Sequence, residues 1–514
     1  MTEVAAETAY LFRHAVLRDA AYEMQLPSDR EKMHELAFHL IEQAFGGRAP
    51  APVPLDAQIQ RKFVPHATDA VAHELVHHAR AAKQAELRDQ LRLYLRRAAE
   101  RAEAIFRLQS AAASYKELAE LLEGAKRAEA IRRCGVALCR SGDPGQGEER
   151  LEDALALARE SGNRRIEAGV MGNLALVYRE TGRVPLFEET NQQALAIARE
   201  IADKQLEGLS LANLALAYQE TGRIAQAEET YAQALKIHRE VGNRAGEGMA
   251  LANLAAVQRE TGRVELAEQN CKTALAIQRE VGDRQSESNA MCSLAILYQE
   301  TGRVPLAEDL YRRALVICRE IGNRRFEAIC LTNLGSVFQE TSRMPEAEET
   351  HQRALSIFSE LGERRLEGIA LSNLANVYEE TGRRQLAEGA YTESIEMNRQ
   401  VGDRRSEGIA MANLARVYHD TGRPDQAMET LQQALTIHRE VADRRFEGIE
   451  LCDLSRLLIA AGDTKAAAKA WQEGTTILRE LGDSAELRRK TRTMEHACAK
   501  ASIEPLETPS DLSE

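Results

Sequence analysis

The run His73-Glu74-Leu75-Val76-His77 is the clearest candidate for chemistry in the sequence. It matches the HExxH pattern, in which two histidines one helical turn apart bind zinc and the glutamate between them activates water. Such a centre needs a third ligand, and Glu100 or Glu103 could supply it only if a second helix folded back suitably. Zinc hydrolysis at His73 and His77 is therefore a minor alternative, beside a surface helix that binds no metal.

Other patterns for catalysis are missing from the sequence. It contains no GxxxxGK[ST] phosphate loop, no GxSxG elbow and no cysteine paired with a histidine in a recognisable frame. None of its eight cysteines forms a CxxC pair, which argues against a zinc ribbon and a disulfide framework and favours the reducing cytoplasm. We expect a chain that is not an enzyme and has no cofactor.

The composition narrows the class of protein further. The chain has 514 residues, a net charge of −13 and only 4 % aromatic residues, and its abundance of Ala, Leu, Glu and Arg favours helices over sheets. An acidic chain is a poor partner for nucleic acid, whose binding depends on clustered Lys and Arg. No stretch is apolar enough for a membrane span, and the N-terminus lacks the basic residues of a signal peptide. We therefore expect neither nucleic acid nor membrane as a partner.

A repeat with a period of 40 residues dominates the chain, as the distance from Leu174 to Leu214 illustrates. The segment NLALVYRETGR at 173–183 returns as NLALAYQETGR at 213–223 and again in each later period, until it fades to DLSRLLIAAGD at 453–463. Most of the chain is therefore one array.

Each period predicts two helices that pack as a hairpin. In the period 201–240, the apolar positions have helical spacing and are Leu211, Leu214, Ala215 and Tyr218, then Ala227, Tyr231, Ala234, Leu235 and His238. Gly222 is predicted to end the first helix in the left-handed conformation, and Pro185, Pro305 and Pro424 fall in the first turn of the second. Caps for the first helices are predicted at Asn163, Asp203, Asp283, Asn323 and Asp403. The dipole of the first helix favours the glutamate that recurs in its first turn, such as Glu207.

The spacing of Leu211, Leu214, Ala215, Tyr218, Ala227, Tyr231 and Ala234 resembles the tetratricopeptide repeat. The usual repeat has 34 residues, so both helices are lengthened here, as in the repeats of kinesin light chains and spindle-orientation adaptors. The resemblance implies an all-α, right-handed superhelical solenoid of αα-hairpins. It also implies a concave groove, and in those two families the groove holds extended peptides.

The face of the first helix opposite its partner is predicted to line that groove. It carries a polar row, which runs Asn173, Asn213, Asn253, Ser293, Asn333, Asn373 and Asn413. An amide both donates and accepts, so the row suits hydrogen bonds to the backbone of a ligand, although it could instead bond neighbouring helices and fix their stacking. Further groove candidates are Leu216, Ile296, Asn376, Arg416 and Arg456, a floor that changes from apolar to basic.

Acidic residues follow one helical turn further along and include Glu220, Glu260 and Glu300. Ordinary ion pairs with the arginines three residues on, such as Arg223, are one explanation. An acidic groove edge that selects a basic ligand is the other.

The N-terminal residues share no period with the array. Phe12, His14, Asp19, Tyr22 and His34 resemble the segment that joins bacterial signal-transduction (STAND-type) NTPases to their repeat arms. We expect a helical or winged-helix-like remnant at 1–46, a Pro-containing linker at 47–66, divergent helical repeats at 67–160 and eight 40-residue units at 161–480. A capping helix at 481–499 and a disordered acidic tail at 500–514 complete the expected organisation.

The sequence thus predicts a cytoplasmic interaction scaffold or adaptor that binds a peptide or protein segment in its groove. The alternative is the sensor or regulatory arm of a bacterial signalling NTPase or kinase that is encoded separately, with residues 1–120 as the docking surface.

Overall fold

The computed structural model describes residues 25–57, 63–441 and 443–506, and this part of the chain is built of helices without strands. The predicted all-α hairpin architecture is confirmed. Two compact units are present, unit 1 with residues 1–178 and 184–222 and unit 2 with residues 179–183 and 223–514. The predicted N-terminal remnant is described only from residue 25, and the predicted tail only as far as residue 506.

The helices that begin in unit 1 are α1 Pro27–Ala44, α2 Ala72–Ala81, α3 Arg88–Ala104, α4 Leu108–Glu120, α5 Gly124–Arg140, α6 Pro144–Glu160, α7 Arg164–Glu180, α8 Val184–Glu200 and α9 Lys204–Glu220. Short 3₁₀ turns at Ala67–Val71 and Ala85–Leu87 precede α2 and α3.

Unit 2 continues with α10 Ile224–Glu240, α11 Arg244–Glu260, α12 Val264–Glu280, α13 Arg284–Glu300, α14 Val304–Ile321, α15 Arg324–Glu340, α16 Met344–Leu361, α17 Arg364–Glu380, α18 Arg384–Gln400, α19 Arg404–Asp420, α20 Pro424–Glu440, α21 Arg444–Ala461, α22 Thr464–Glu480 and α23 Ser484–Ala501. From α11 onward, first helices pack on their own second helices, and first helices of successive repeats also touch, as α11 touches α13 and α17 touches α19.

The helix ends follow the predicted signals. The side chains of Asn163, Asp203, Asp283, Asn323 and Asp403 each accept a hydrogen bond from a backbone N–H at the start of the next helix, which confirms the predicted caps. Gly222 ends its helix with φ of 74°, in the left-handed region where a Cβ is unfavourable. Ser342 occupies the equivalent place with φ of 58°, so this turn carries backbone strain that its glycine counterparts avoid.

Ion pairs stabilise the recurring first-turn glutamate more than the helix dipole does. Glu247 is buried, and its carboxylate is held by Arg239 Nε at 2.8 Å and Arg244 Nη1 at 2.5 Å. Burial opposes ionisation, but the hydrogen bonds from both arginines outweigh it and lower the pKa of Glu247. The same clamp surrounds Glu167, Glu287, Glu327, Glu407 and Glu447, and at Glu207 the side chain of Lys204 replaces the second arginine.

A second set of ion pairs joins neighbouring repeats in unit 2. Arg263 binds both carboxylate oxygens of Glu228 at 2.6 and 2.7 Å, from one second helix to the one before it. The equivalent pairs are Arg303–Glu268, Arg343–Glu308, Arg383–Glu348 and Arg423–Glu388. Pairing of such arginines with the acids three residues before them was one of the two explanations for those acids, and the structure gives these five arginines other partners.

The N-terminal helices have their own buried contacts. Arg97 of α3 forms a buried pair with Asp69 at 2.6 Å and also donates to the carbonyls of Pro50 and Val64. The described parts of the predicted linker therefore pack against α3.

At the C-terminus, α23 covers the last hairpin. Trp471 of α22 is 1 % exposed and shares a cluster with Met494 and Cys498 of α23. Within the described residues, every helix is too short or too polar to span a lipid bilayer.

Candidate functional site

The predicted row of amides lies on the uncovered side of the first helices. In α9, Leu211 and Leu214 are buried, whereas Asn213 is half-buried and Glu220 is exposed. The pattern repeats in unit 2, where Asn253, Ser293, Asn333, Asn373 and Asn413 are all half-buried. We call these five residues the unit 2 amide row, although one member is a serine.

Most amides of the row have no hydrogen-bond partner on their side chains. Among the described residues, none is found for Asn213, Asn253, Asn333, Asn373 or Asn413, and Ser293 donates only to the carbonyl of Asn289 in its own helix, at 3.2 Å. Asn173 differs, because its Oδ1 accepts from Arg132 Nη1 at 2.7 Å. Asn173 therefore bonds to a neighbouring repeat, as the stacking interpretation predicts. Within the part of the chain that the structure describes, the side chains of the other amides make no such bond and can still donate to and accept from a ligand.

Apolar side chains alternate with the amides along the same face. One turn before Asn253, Met249 is 45 % exposed, and Leu209 holds the equivalent place before Asn213 at 38 %. One turn after the row, Leu216 and Ile296 are half-buried and pack partly against the core. The face thus offers polar and apolar contacts in regular alternation.

The floor of the predicted groove carries less unpaired positive charge in the structure than its sequence suggests. Arg416 forms two short contacts with Glu379, at 2.6 and 2.8 Å, so its charge is neutralised within the protein. Asn376 accepts a hydrogen bond from the hydroxyl of Tyr391. Arg456 is half-buried, and its Nε has no hydrogen-bond partner among the described residues.

The acidic positions of unit 2 bond to the preceding first helix. Glu300 pairs with Arg259, while Glu340 accepts from Gln299 at 3.0 Å and Glu380 accepts from Gln339. All three carboxylates are exposed, and so is Glu260. Since glutamine carries no charge, Glu340 and Glu380 keep their negative charge at the edge of the face.

The predicted metal ligands are only partly brought together. His77 lies beside His78 and His34, and one nitrogen from each falls within 4.8 Å of the others, in a group that does not include His73. Glu100 contacts Arg96 and Arg133, and Glu103 accepts from the hydroxyl of Tyr115. His34 is 43 positions away from His77 in the sequence, so the HExxH pattern gave no sign of it.

These repeats place the chain in a known family. A family model described as the tetratricopeptide repeat matches residues 168–240, 246–320, 326–400 and 406–480, more than half of the chain. The protein belongs to the tetratricopeptide repeat family, as the resemblance predicted. No curated protein matches the sequence.

Several solved structures are similar to the chain. A Rap protein complexed with Competence and Sporulation Factor is 14 % identical over 70 % of this chain and 99 % of its own, with a TM-score of 0.52. A STAND protein with a tetratricopeptide repeat sensor from Pyrococcus horikoshii is 16 % identical, covers 71 % of this chain and 55 % of its own, and has a TM-score of 0.47.

The nearly identical repeats of a putative kinesin light chain from Podosopora anserina are 21 % identical over 37 % of this chain and 94 % of their own, with a TM-score of 0.32. At sequence identities this low, the similarities bear only on the fold.

Proposed function

We propose that the protein is an interaction scaffold whose unit 2 binds an extended segment of another protein along the unit 2 amide row. The observation that carries this proposal is the row itself, in which half-buried amides without partners recur every 40 residues. Asparagine is unfavourable within a helix, and these amides make no hydrogen bond in the described part of the fold that would offset this cost. A ligand backbone can satisfy both the donor and the acceptor of each amide.

The chemistry of the ligand follows from the neighbours of the row. Apolar side chains such as Met249 and Ile296 offer sites for apolar anchors between the amides. Glu340 and Glu380 retain their charge, whereas Glu379 neutralises Arg416. The preferred ligand is therefore an extended segment with alternating apolar and basic side chains.

Selection of peptides from a displayed random library on the full chain tests this function. Replacing Asn253, Asn333 and Asn373 together by Ala should abolish capture of the selected peptides, because three backbone-binding amides are lost. The matched control replaces Gln233, Gln352 and Gln433 by Ala, since these exposed amides belong to second helices. Equal capture by both triple variants, measured by fluorescence anisotropy, would falsify the groove model.

The stability of the same variants separates ligand binding from repeat stacking. Alanine exceeds asparagine in helix propensity by about 0.5 kcal/mol, so the three replacements should raise the melting temperature if the amides have no partners in the fold. Circular dichroism of the full chain gives this measurement. A lower melting temperature would show that the amides stabilise the stacking of the repeats.

A further inference from the structure

Three histidines from two helices meet in unit 1. Nδ1 of His34 in α1 lies 2.7 Å from Nδ1 of His78 in α2, and the ring of His77 lies 5.5 Å from that of His34 and 5.3 Å from that of His78. His77 and His78 are adjacent in sequence, so their side chains leave α2 about 100° apart. His34 stands where both of their rings can reach it.

A small rotation of the three rings would bring their nitrogens to the separations that a bound metal ion requires. Zinc binds imidazole nitrogen at about 2.0–2.1 Å, which puts tetrahedral ligand nitrogens about 3.3 Å apart. One nitrogen from each ring already lies within 4.8 Å of the other two. We propose that His34, His77 and His78 form a binding site for a divalent transition-metal ion, with zinc as the preferred ion.

The surroundings favour imidazoles that can act as ligands. His34 is buried, His78 is half-buried and His77 is exposed, so an ion can enter from the side of His77. An imidazole binds a metal ion through the lone pair of a ring nitrogen that carries no proton.

Two cations that follow the cluster in sequence are paired with acids. Arg80 pairs with Glu117, and Lys83 lies 3.5 Å from Glu31. These pairs reduce the repulsion that an incoming dication would meet.

The ligand set distinguishes this site from the HExxH motif. The motif uses His73 with His77, whereas the cluster uses His77 with its neighbour His78 and with His34 from another helix. Three imidazoles leave a fourth position open to water in a tetrahedral site. Because His34 belongs to α1 and the other two belong to α2, a bound ion would also hold α1 against α2.

Zinc binding to the full chain without a histidine tag tests the site. After treatment with a chelator, titration calorimetry with zinc chloride should give one ion per chain and a higher melting temperature with zinc. Changes around metal ligands alone weaken binding by about 10- to 100-fold, so His34→Ala, His77→Ala and His78→Ala should each cost at least that factor. His73→Ala should bind as the parent chain does.

Two outcomes would overturn the proposal. One is that the parent chain binds no zinc, and the other is that His73→Ala weakens binding as much as His34→Ala. His77 is exposed, so His77→Ala is the decisive variant if replacement of buried His34 disturbs folding. Circular dichroism of each variant without metal checks that the helices are intact.

Discussion

Glu450 is a carboxylate buried in unit 2 next to a buried histidine. Its Oε1 lies 3.1 Å from Nε2 of His438, yet neither carboxylate oxygen makes a well-aligned hydrogen bond within the described residues. Burial raises the pKa of Glu450 to about 7, although the nearby His438 partly opposes this rise. The unfolded chain has the ordinary glutamate value of 4.5. The stability that the protonated form contributes is therefore complete below that value and is lost as the pH rises through about 7.

Glu450→Gln should remove this loss of stability. Relative to the parent chain, the variant should gain stability between about pH 5 and about pH 8, by at most about 3 kcal/mol for a shift of this size. Urea unfolding at both pH values gives the measurement. Glu429→Gln is the control, since Glu429 is exposed. A gain that does not depend on pH would contradict the assignment of the raised pKa to Glu450.

The sequence predicts the helix face on which a residue lies but not its contacts with other helices. Helical spacing alone predicts which face of the first helix carries the amides. Asn213 and Asn253 are half-buried on the face that this spacing indicates. His34 could not be joined to His77, because spacing within one helix says nothing about which helix packs against it. The neutralisation of Arg416 by Glu379 was missed for the same reason, since the two residues belong to neighbouring helices.

A buried, clamped glutamate stabilises most of the turns that join one repeat to the next. Glu327 is 4 % exposed and bonds to Arg319 and Arg324, both at 2.8 Å. These two hydrogen bonds lower the pKa of Glu327 against the opposing effect of burial. The clamp therefore stabilises the fold above the ordinary glutamate pKa and is lost as the pH falls through the lower folded value.

Glu327→Gln should lower the free energy of unfolding by about 1–3 kcal/mol at neutral pH, because two charge-assisted hydrogen bonds are weakened in a buried place. Glu360→Gln is the matched control, since exposed Glu360 contacts the same Arg324 at 3.3 Å and should change stability by less than about 0.5 kcal/mol. Denaturant unfolding followed by circular dichroism compares them. Equal effects of the two changes would show that the clamp contributes no more than a surface pair.

The elements themselves were well predicted from the sequence. Apolar spacing, Asp and Asn caps and turn glycines act within a few residues, so their effects can be read locally. The sequence marked the clamp glutamates as first-turn acids favoured by the helix dipole but predicted neither of their two cationic partners, of which the more distant is an arginine. That arginine lies eight residues earlier, across the turn, as Arg319 does from Glu327.

At the scale of the whole molecule, α23 protects the end of the array. The only tryptophan of the chain, Trp471, is buried in the cluster that α23 completes. Deleting residues 484–514 should expose Trp471 and shift its fluorescence to longer wavelengths, while most of the circular dichroism signal remains. Deleting only 507–514 keeps α23 and is the control. Unchanged fluorescence after the longer deletion would mean that α23 does not shield the last hairpin.

Two sets of ion pairs between repeats use fixed offsets, such as 35 residues from Glu228 to Arg263 and 38 from Arg365 to Asp403. Removal of one whole period from the gene would therefore join equivalent residues, and within these two sets each lost partner would be replaced by its counterpart. Unequal recombination between the coding repeats can lengthen or shorten such an array without new side-chain chemistry. Each event adds or removes one member of the polar row, so under the proposed function the length of ligand in contact with the row would change in whole steps.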